Sequence, residues 1–321
     1  MSFPVELLSR IADTQGGRPR VPVGLSRVGV RNLKLSLRIA GKKGDISLFP
    51  TVDIFVDLPR EKRGVHLSRD PESLYEALAE QGLAKSVSVE EFCETVALRV
   101  LKNHEYASRA EVRLRSDYVT VRQEPGSALT TQEPCKIFAI ATAAREAESV
   151  KVSRVVGVRV TGFTACPCTQ ELMKTLIGER LNSLGYHRED REKILSFVPL
   201  MTHTQRTKGT ILMQVPHDRS VNLEDLVEIL EESMSAPTHT LLKRANEVAV
   251  VEKAAARPRF AEDVVREALF LITKRYRDFP NDVRVFVQSL SQESVHKHDT
   301  VAERVASLGD IRKELSEASI E

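Results

Sequence analysis

The sequence predicts an α+β protein built from two units, each with the order β-β-α-α-β-β. Three observations lead there. Apolar residues alternate with polar ones at Val52, Ile54, Val56 and Leu58, and again at Val283, Val285 and Val287, which is the period of a half-buried strand. Val89, Phe92, Cys93, Val96 and Val100 recur at helical spacing, as do Val264, Val265, Ala268, Leu269 and Ile272. Both kinds of segment follow one another in the same sequence in the two halves. Strands paired as antiparallel hairpins with helices on one face form an α+β unit.

Taken in order, residues 1–25 are rich in Pro, Gly and Arg and read as an extended arm. Leu33, Leu35, Leu37 and Ile39 alternate with polar residues as one strand, and Gly41-Lys42-Lys43-Gly44 reads as a turn before the strand at Val52–Leu58. A helix begins near Pro71 with Ser68 or Asp70 as its cap, and a second runs over about 88–103 behind Ser88. Strands follow near 109–122 and 135–145. The second half opens with a strand near 150–163 (Val152, Val156, Val158, Val160), then an inserted helical stretch over about 170–196. A strand near 208–216, a helix near 223–235 behind Asn222, a helix near 261–277 and the strand at Val283–Val287 complete the pattern. The tail, about 299–318, is expected to be a helix with Val301, Val305 and Leu308 on one side. The unit boundaries fall at 1–148 and 149–321. No residue-level repeat is visible, so the duplication rests on element order. A sheet of this kind has two open edges. Closing them by pairing copies into a barrel predicts a homo-oligomer, a dimer or tetramer.

The chain has 321 residues, 41% hydrophobic and 29% charged, enough for a sizeable core. No apolar run reaches the length of a membrane span, and the N-terminus lacks a basic-then-apolar secretory pattern, so a cytoplasmic location and no membrane partner are expected. A net charge of +2, no Trp and 5% aromatic residues argue against a nucleic-acid partner. Four cysteines in this length do not make a disulfide scaffold. Cys93 lies on a helical apolar stripe and Cys135 opens a strand-like run, so both read as packed small hydrophobes.

Cys166-Pro167-Cys168 remains to be explained. Proline between the two stiffens the turn. The pair reads as two packed thiols at a strand-to-helix junction, as a redox couple, or as a metal thiolate. His203, in the polar run Met201–Arg206, reads as a solvated loop residue or as a ligand. Glu293 and His296, three apart, share a side on a tight turn and can grip one ion, with His298 and Asp299 as further ligands or a proton relay; otherwise the segment is a solvated polar loop. Thiolate, imidazole and carboxylate together suit a catalytic transition metal, provided these distant segments meet. Glu252 ends the apolar run Val248–Val251. It reads either as an exposed strand-end charge beside Lys253 or as a pocketed carboxylate able to accept two parallel hydrogen bonds from a planar donor pair, such as guanine N1–H and N2–H. Arg206, Lys208, Lys243 and Arg244 are ordinary surface cations or phosphate contacts. His187, His217 and His239 read as surface residues.

Taken together these segments resemble the prokaryotic GTP cyclohydrolases of the IB kind, and most closely their archaeal, iron-dependent branch in methanopterin synthesis. The resemblance is carried by Arg27-Val-Gly-Val30, Val65-His66-Leu67-Ser68-Arg69, Asn103-His104-Glu105-Tyr106-Ala107, Thr164-Ala-Cys166-Pro-Cys168, Met201-Thr-His203-Thr-Gln-Arg206, Leu241-Leu-Lys-Arg244, Val251-Glu252-Lys-Ala254 and Glu293-Ser-Val-His296-Lys-His298-Asp299. It implies tandem tunnelling-fold units assembled into oligomeric barrels, with active sites at subunit interfaces. It further implies GTP as substrate and one Fe(II) per subunit, with Zn or Mn as substitutes. The implied metal ligands are Cys166, His203, Glu293 and His296. Glu252 would anchor guanine, Arg206, Lys243 and Arg244 would meet phosphates, and Cys166, His298 and Cys168 would serve catalysis. Some bacterial members carry a glutamate where this chain has Pro237-Thr238-His239, which points away from their triphosphate product and toward dihydroneopterin 2′,3′-cyclic phosphate. Other classes remain: a thiol-dependent nitrile reductase on the same fold, a non-catalytic pterin- or purine-binding module, or a thiol redox module.

Overall fold

The computed structural model describes residues 13–41, 44–81, 87–123 and 129–318. Residues 1–12 of the arm and the Lys42–Lys43 turn lie outside the described residues. What is described of the arm is not simply extended. Asp13 accepts hydrogen bonds from the Gln15 and Gly16 N–H groups in a turn, and Arg63 and Gly64 donate to the Gly17 and Gln15 carbonyls.

The chain divides into two units, one formed by 1–116 with 138–155 and the other by 117–137 with 156–321. The first unit contains β1 (Leu25–Lys34), the hairpin β2 (Leu37–Gly41) and β3 (Gly44–Leu48), β4 (Thr51–Leu58), α1 (Arg69–Gln81) and α2 (Val89–Asn103). Three long strands then contribute residues to both units: β5 (Arg109–Gln123), β6 (Thr130–Glu146) and β7 (Ser149–Ala165). Within the first unit the hydrogen-bonded order is β1-β4-β5-β6-β7, with β1–β4 and β4–β5 antiparallel.

The expected single strand over Leu33–Ile39 is two strands. β1 ends at Lys34, and the Leu35 N–H turns aside to the Pro50 carbonyl before β2 begins a separate two-stranded sheet. Alternation continues through the break because both strands bury the same parity of residue, so the pattern alone does not reveal it. α2 follows its sequence closely. Ser88 and Glu91 form a reciprocal capping box, worth about 1 kcal/mol, and Phe92, Cys93, Val96 and Val100 are fully buried. α1 begins at Arg69, but Asp70 is no exposed cap. It is wholly buried against His104, Nε2 to Oδ1 at 2.9 Å, while His104 Nδ1 meets the Tyr106 hydroxyl at 3.0 Å.

The second unit carries the C-terminal part of β7, then α3 (Pro167–Ser183), α4 (Arg188–Phe197), β8 (Thr204–Gln214), α5 (Leu223–Ser233), the two-residue β9 (Ala236–Pro237), α6 (Arg244–Ala256), α7 (Ala261–Arg275), β10 (Arg284–Gln292), β11 (Thr300–Ser307) and α8 (Leu308–Glu317). Its order is β5-β6-β7-β8-β10-β11, with β9 on β7. Asn222 caps α5 by accepting from the Glu224 N–H, as its sequence predicts. Ile211, Met213, Val285 and Val287 on the sheet pack with Leu226, Leu230, Val264, Ala268 and Ile272 on the helices as the buried core.

The tail is not one helix: residues 300–307 pair with β10 from Arg284↔Ser307 to Ser291↔Thr300, and only 308–317 are helical. Val301 and Val305, four apart, satisfy both periods, and the strand wins because β10 offers it a full ladder. The Val248–Glu252 run is likewise not a strand but the middle of α6, whose only buried residues are Ala254 and Ala255.

Candidate functional site

Three strands of the second unit deliver the motif residues to one end of the sheet. β7 runs out at Ala165, so Cys166 follows directly and occupies the cap position of α3, with Pro167 as the first helical residue. β8 starts at Thr204, immediately after His203. β10 ends at Gln292, which pairs with Arg206, so Glu293 leaves the sheet beside the beginning of β8. The Cys166 N–H donates to the His203 carbonyl at 3.1 Å, joining the first two segments directly.

Besides the backbone ladder, a buried chain of hydroxyls links the three strand ends. Thr164 Oγ1 lies 3.0 Å from Thr207 Oγ1, which lies 2.9 Å from Ser291 Oγ. All three residues are buried, one on each of β7, β8 and β10. Gly157 lets β7 approach β8: a Cβ there would stand 2.1 Å from the Ile211 carbonyl oxygen. Gln170 on α3 donates through Nε2 to the carbonyls of Leu200 and Ala255, both at 2.7 Å. One amide thus ties the cysteine helix to the segment before His203 and to the end of α6. These residues carry no motif of their own. Only the repeated Thr or Ser beside each candidate ligand segment hints at them in the sequence.

The polar loop leading into β8 is underbonded. His203 Nδ1, Thr202 Oγ1 and Gln205 Oε1 are buried, and among the described residues they find no hydrogen-bond partner. Buried polar atoms are seldom left so, and here three fall within four residues. Beside them lies a cavity of about 550 Å³, lined by Thr202, Thr204, Gln205 and Arg206 together with Phe163 and Val251. That is the size of an ordinary small-molecule site. A second cavity, about 290 Å³, shares Arg206 and adds Glu133, Thr240 and His239, so His239 is a lining residue rather than a bystander. Glu133 accepts from the Thr240 N–H, the Thr240 hydroxyl at 2.9 Å and the Thr131 hydroxyl at 2.8 Å. Burial pushes its carboxyl up, but these donors and Arg122 outweigh that and hold it below the usual range. The effect is a latch on the loop that leads to Lys243 and Arg244 at the start of α6.

The structure brings some of the expected residues together and leaves others apart. Cys166 is half-buried, its Sγ 3.6 Å from Thr169 Oγ1, and Cys168 is exposed. Glu293 accepts from the Thr300 hydroxyl at 2.5 Å, across the loop joining β10 to β11. On that loop the rings of His296 and His298 stack, with centroids 5.2 Å apart. Among the described residues, however, no three His, Cys, Asp or Glu side chains stand close enough to grip one ion. The donor types and the orphaned imidazole nitrogen suit a transition metal; the convergence is of segments, not of four closed side chains. Glu252 is exposed and lines a different cavity, about 400 Å³, with Gln170, Lys174 and Leu195 from α3 and α4. Lys243 and Arg244 begin α6, roughly 12 Å along the helix from Glu252 at 1.5 Å per residue.

The surroundings are unusually apolar for a surface. α3 and α4 bury no residue at all. Phe197 is 89% exposed, and Leu172, Leu184, Met201, Val248, Val251 and Val295 also face outward.

The type I GTP cyclohydrolase folE2 family model matches residues 11–302. The GTP cyclohydrolase MptA of Methanobrevibacter smithii is 40% identical over 306 residues, 95% of this chain and 98% of the relative. The same-named protein of Methanococcoides burtonii is 41% identical over 317 residues, covering 98% and 99%. That of Methanocaldococcus jannaschii is 38% identical over 304 residues, covering 94% and 97%. Among solved structures, a uricase from Bacillus fastidious superposes with a TM-score of 0.53 at 9% identity, over 92% of this chain and 98% of that one, which is a likeness of fold alone.

Proposed function

Because this chain belongs to the type I GTP cyclohydrolase family, we propose that it is the iron-dependent enzyme of the archaeal branch, of the IB/IV kind, acting in methanopterin synthesis. It opens the imidazole ring of GTP, releases formate and diphosphate, and forms 7,8-dihydroneopterin 2′,3′-cyclic phosphate. The methanogen relatives, each similar along nearly its whole length, support this branch over the bacterial one, whose product keeps the triphosphate. The observation that carries the reading is the convergence at one sheet end: Cys166 hydrogen-bonded to His203, with Glu293 emerging beside Arg206.

In this reading Cys166, His203, Glu293 and His296 would hold the metal, Fe(II) with Zn or Mn as substitutes. Such a metal would supply Lewis-acid activation of water near neutral pH. Glu252 accepts guanine N1–H and N2–H, and Arg206, Lys243 and Arg244 face phosphate oxygens. His298, stacked on His296, moves protons while C8 is hydrolysed and formate leaves; Cys168 stands beside Cys166 as its thiol neighbour. Glu252 and Arg206 line separate cavities within one chain. The bare apolar faces of α3, α4 and α6 support a site completed by a second copy. The assembly is then a homo-oligomeric barrel of tandem tunnelling-fold units, 1–148 and 149–321, working in the cytoplasm.

The test is the mass of the product made from GTP without oxygen by Fe(II)-loaded protein. Formate with the cyclic phosphate is expected. Formate with dihydroneopterin triphosphate selects the bacterial reaction, and no formate rejects the cyclohydrolase. Glu252→Ala should abolish GTP binding and leave metal content intact; loss of metal there contradicts its assignment.

A further inference from the structure

The first unit carries a second concentration of charge that the reaction above does not use. On β5 the residues Arg109, Glu111, Arg113 and Arg115 alternate and so share one face. Register places Asp53 of β4 opposite Arg113, and Phe55 opposite Glu111. On β1, Arg27 and Arg31 flank Gly29, which faces Phe55. A Cβ at Gly29 would meet the Ile54 carbonyl oxygen at 1.9 Å, so glycine is what lets β1 close on β4 and bring its arginines over the neighbouring carboxylates.

The result is a fixed array. Glu111, almost wholly buried, accepts from Arg27 Nη2 at 3.0 Å, Arg109 Nη2 at 2.9 Å and Arg113 Nε at 2.5 Å. Asp53, equally buried, accepts from Arg115 Nη1 at 2.8 Å and has Arg31 Nε at 3.5 Å. Asn32, at a φ of 63°, donates its N–H to Asp53 and accepts from Arg115 Nη2 through its side-chain oxygen at 2.6 Å. Arg113 also lies over the Phe55 ring, 5.9 Å from its centroid. The third carboxylate on this face, Asp57, is taken by the Ser108 N–H and hydroxyl and the Arg109 N–H. Five guanidiniums therefore share two carboxylates, Glu111 and Asp53, while Asp57 is bonded elsewhere. Each of the five side chains is 41–64% exposed, so the carboxylates anchor them while leaving each side chain partly accessible.

We propose that this arginine face binds a linear oligophosphate, a chain of phosphoanhydride-linked phosphates, at a site separate from the one described above. Three cations held around one carboxylate repel one another, and an anion relieves that repulsion. Guanidinium forks match phosphate oxygens, and here they are already positioned, so little freedom is lost on binding. The row from Arg109 to Arg115 spans roughly 20 Å at strand rise, longer than a single phosphate can use. One aromatic ring is too few for the stacking that a nucleic-acid strand needs.

The experiment is calorimetric titration of the full chain with inorganic tripolyphosphate at low salt and at 150 mM salt, with ATP in a parallel arm. Wild type should bind tripolyphosphate, more weakly at higher salt. Arg27→Ala with Arg113→Ala should lower that affinity at least tenfold while formate release from saturating GTP is unchanged. Arg109→Gln, which leaves Glu111 two partners, should give a smaller loss with no change in the thermal midpoint, so a folding defect in the double variant cannot mimic the result. Arg206→Ala should leave this binding in place. Tighter binding of tripolyphosphate than of ATP identifies the free chain as the ligand, and the reverse identifies a nucleotide's phosphate tail. No tripolyphosphate binding, binding untouched by both the double variant and Arg109→Gln, or binding lost only with Arg206→Ala overturns the proposal.

Discussion

Removing one hydroxyl, Thr207→Val, tests whether the buried hydroxyl chain sets the site. Thr207 is fully buried and bridges Thr164 at 3.0 Å and Ser291 at 2.9 Å. A hydroxyl has one donor and two acceptor sites, so Thr207 can serve both neighbours. Valine keeps the branched shape and forfeits these two bonds along with the longer one, 3.5 Å, to the Gln205 carbonyl. At roughly 0.5–1.5 kcal/mol for each of the two shorter bonds the loss is about 1–3 kcal/mol, or roughly a 5- to 150-fold rise in local opening. The change falls between the strands that carry Cys166, His203 and Glu293, so it should be felt first there. The assay is native-state hydrogen exchange of the β8 amides, read beside Fe(II) affinity measured by competition with a chelator. Faster exchange confined to β8 and its two neighbours, with weakened metal uptake, is expected. Wild-type exchange and wild-type metal affinity together would refute the idea that these hydroxyls align the three strand ends.

Cys166→Ser should lose bound metal and formate release, while Cys168→Ser, at an exposed position on the other side of Pro167, should keep its metal; metal content by elemental analysis separates them. Because the folded carboxyl of Glu133 lies below its usual value of 4.5, the stability it lends the Thr240 latch is fully present above that value and is lost as pH falls below it toward the folded pKa. Protection of the Thr240 amide, corrected for intrinsic exchange, should therefore fall below about pH 4.5, and Glu133→Gln should show the reduced protection at neutral pH.

Much of the architecture was readable in the chain itself. Ser88 and Asn222 cap helices where their side chains predict, because capping is a local affair between a side chain and an N–H two or three residues on. The strand periods at Val52–Leu58 and Val283–Val287, and the helical insertion behind Cys166, were equally local signals. So were the donor types, since a Cys-Pro-Cys turn and a Glu-His-His loop are unusual enough to notice. What adjoins what was not local. Residues 300–307 became a strand because β10 had an open edge, a fact about another segment. Glu252 turned to the α3–α4 side because its run is helical, and a short apolar stretch fits either period. The alignment of Cys166, His203 and Glu293 depends on strand register, and the arginine face depends on Asp53 and Glu111 lying across strands from their partners. Alternation tells which residues share a face, whereas only pairing between distant segments decides which charges and ligands that face brings together.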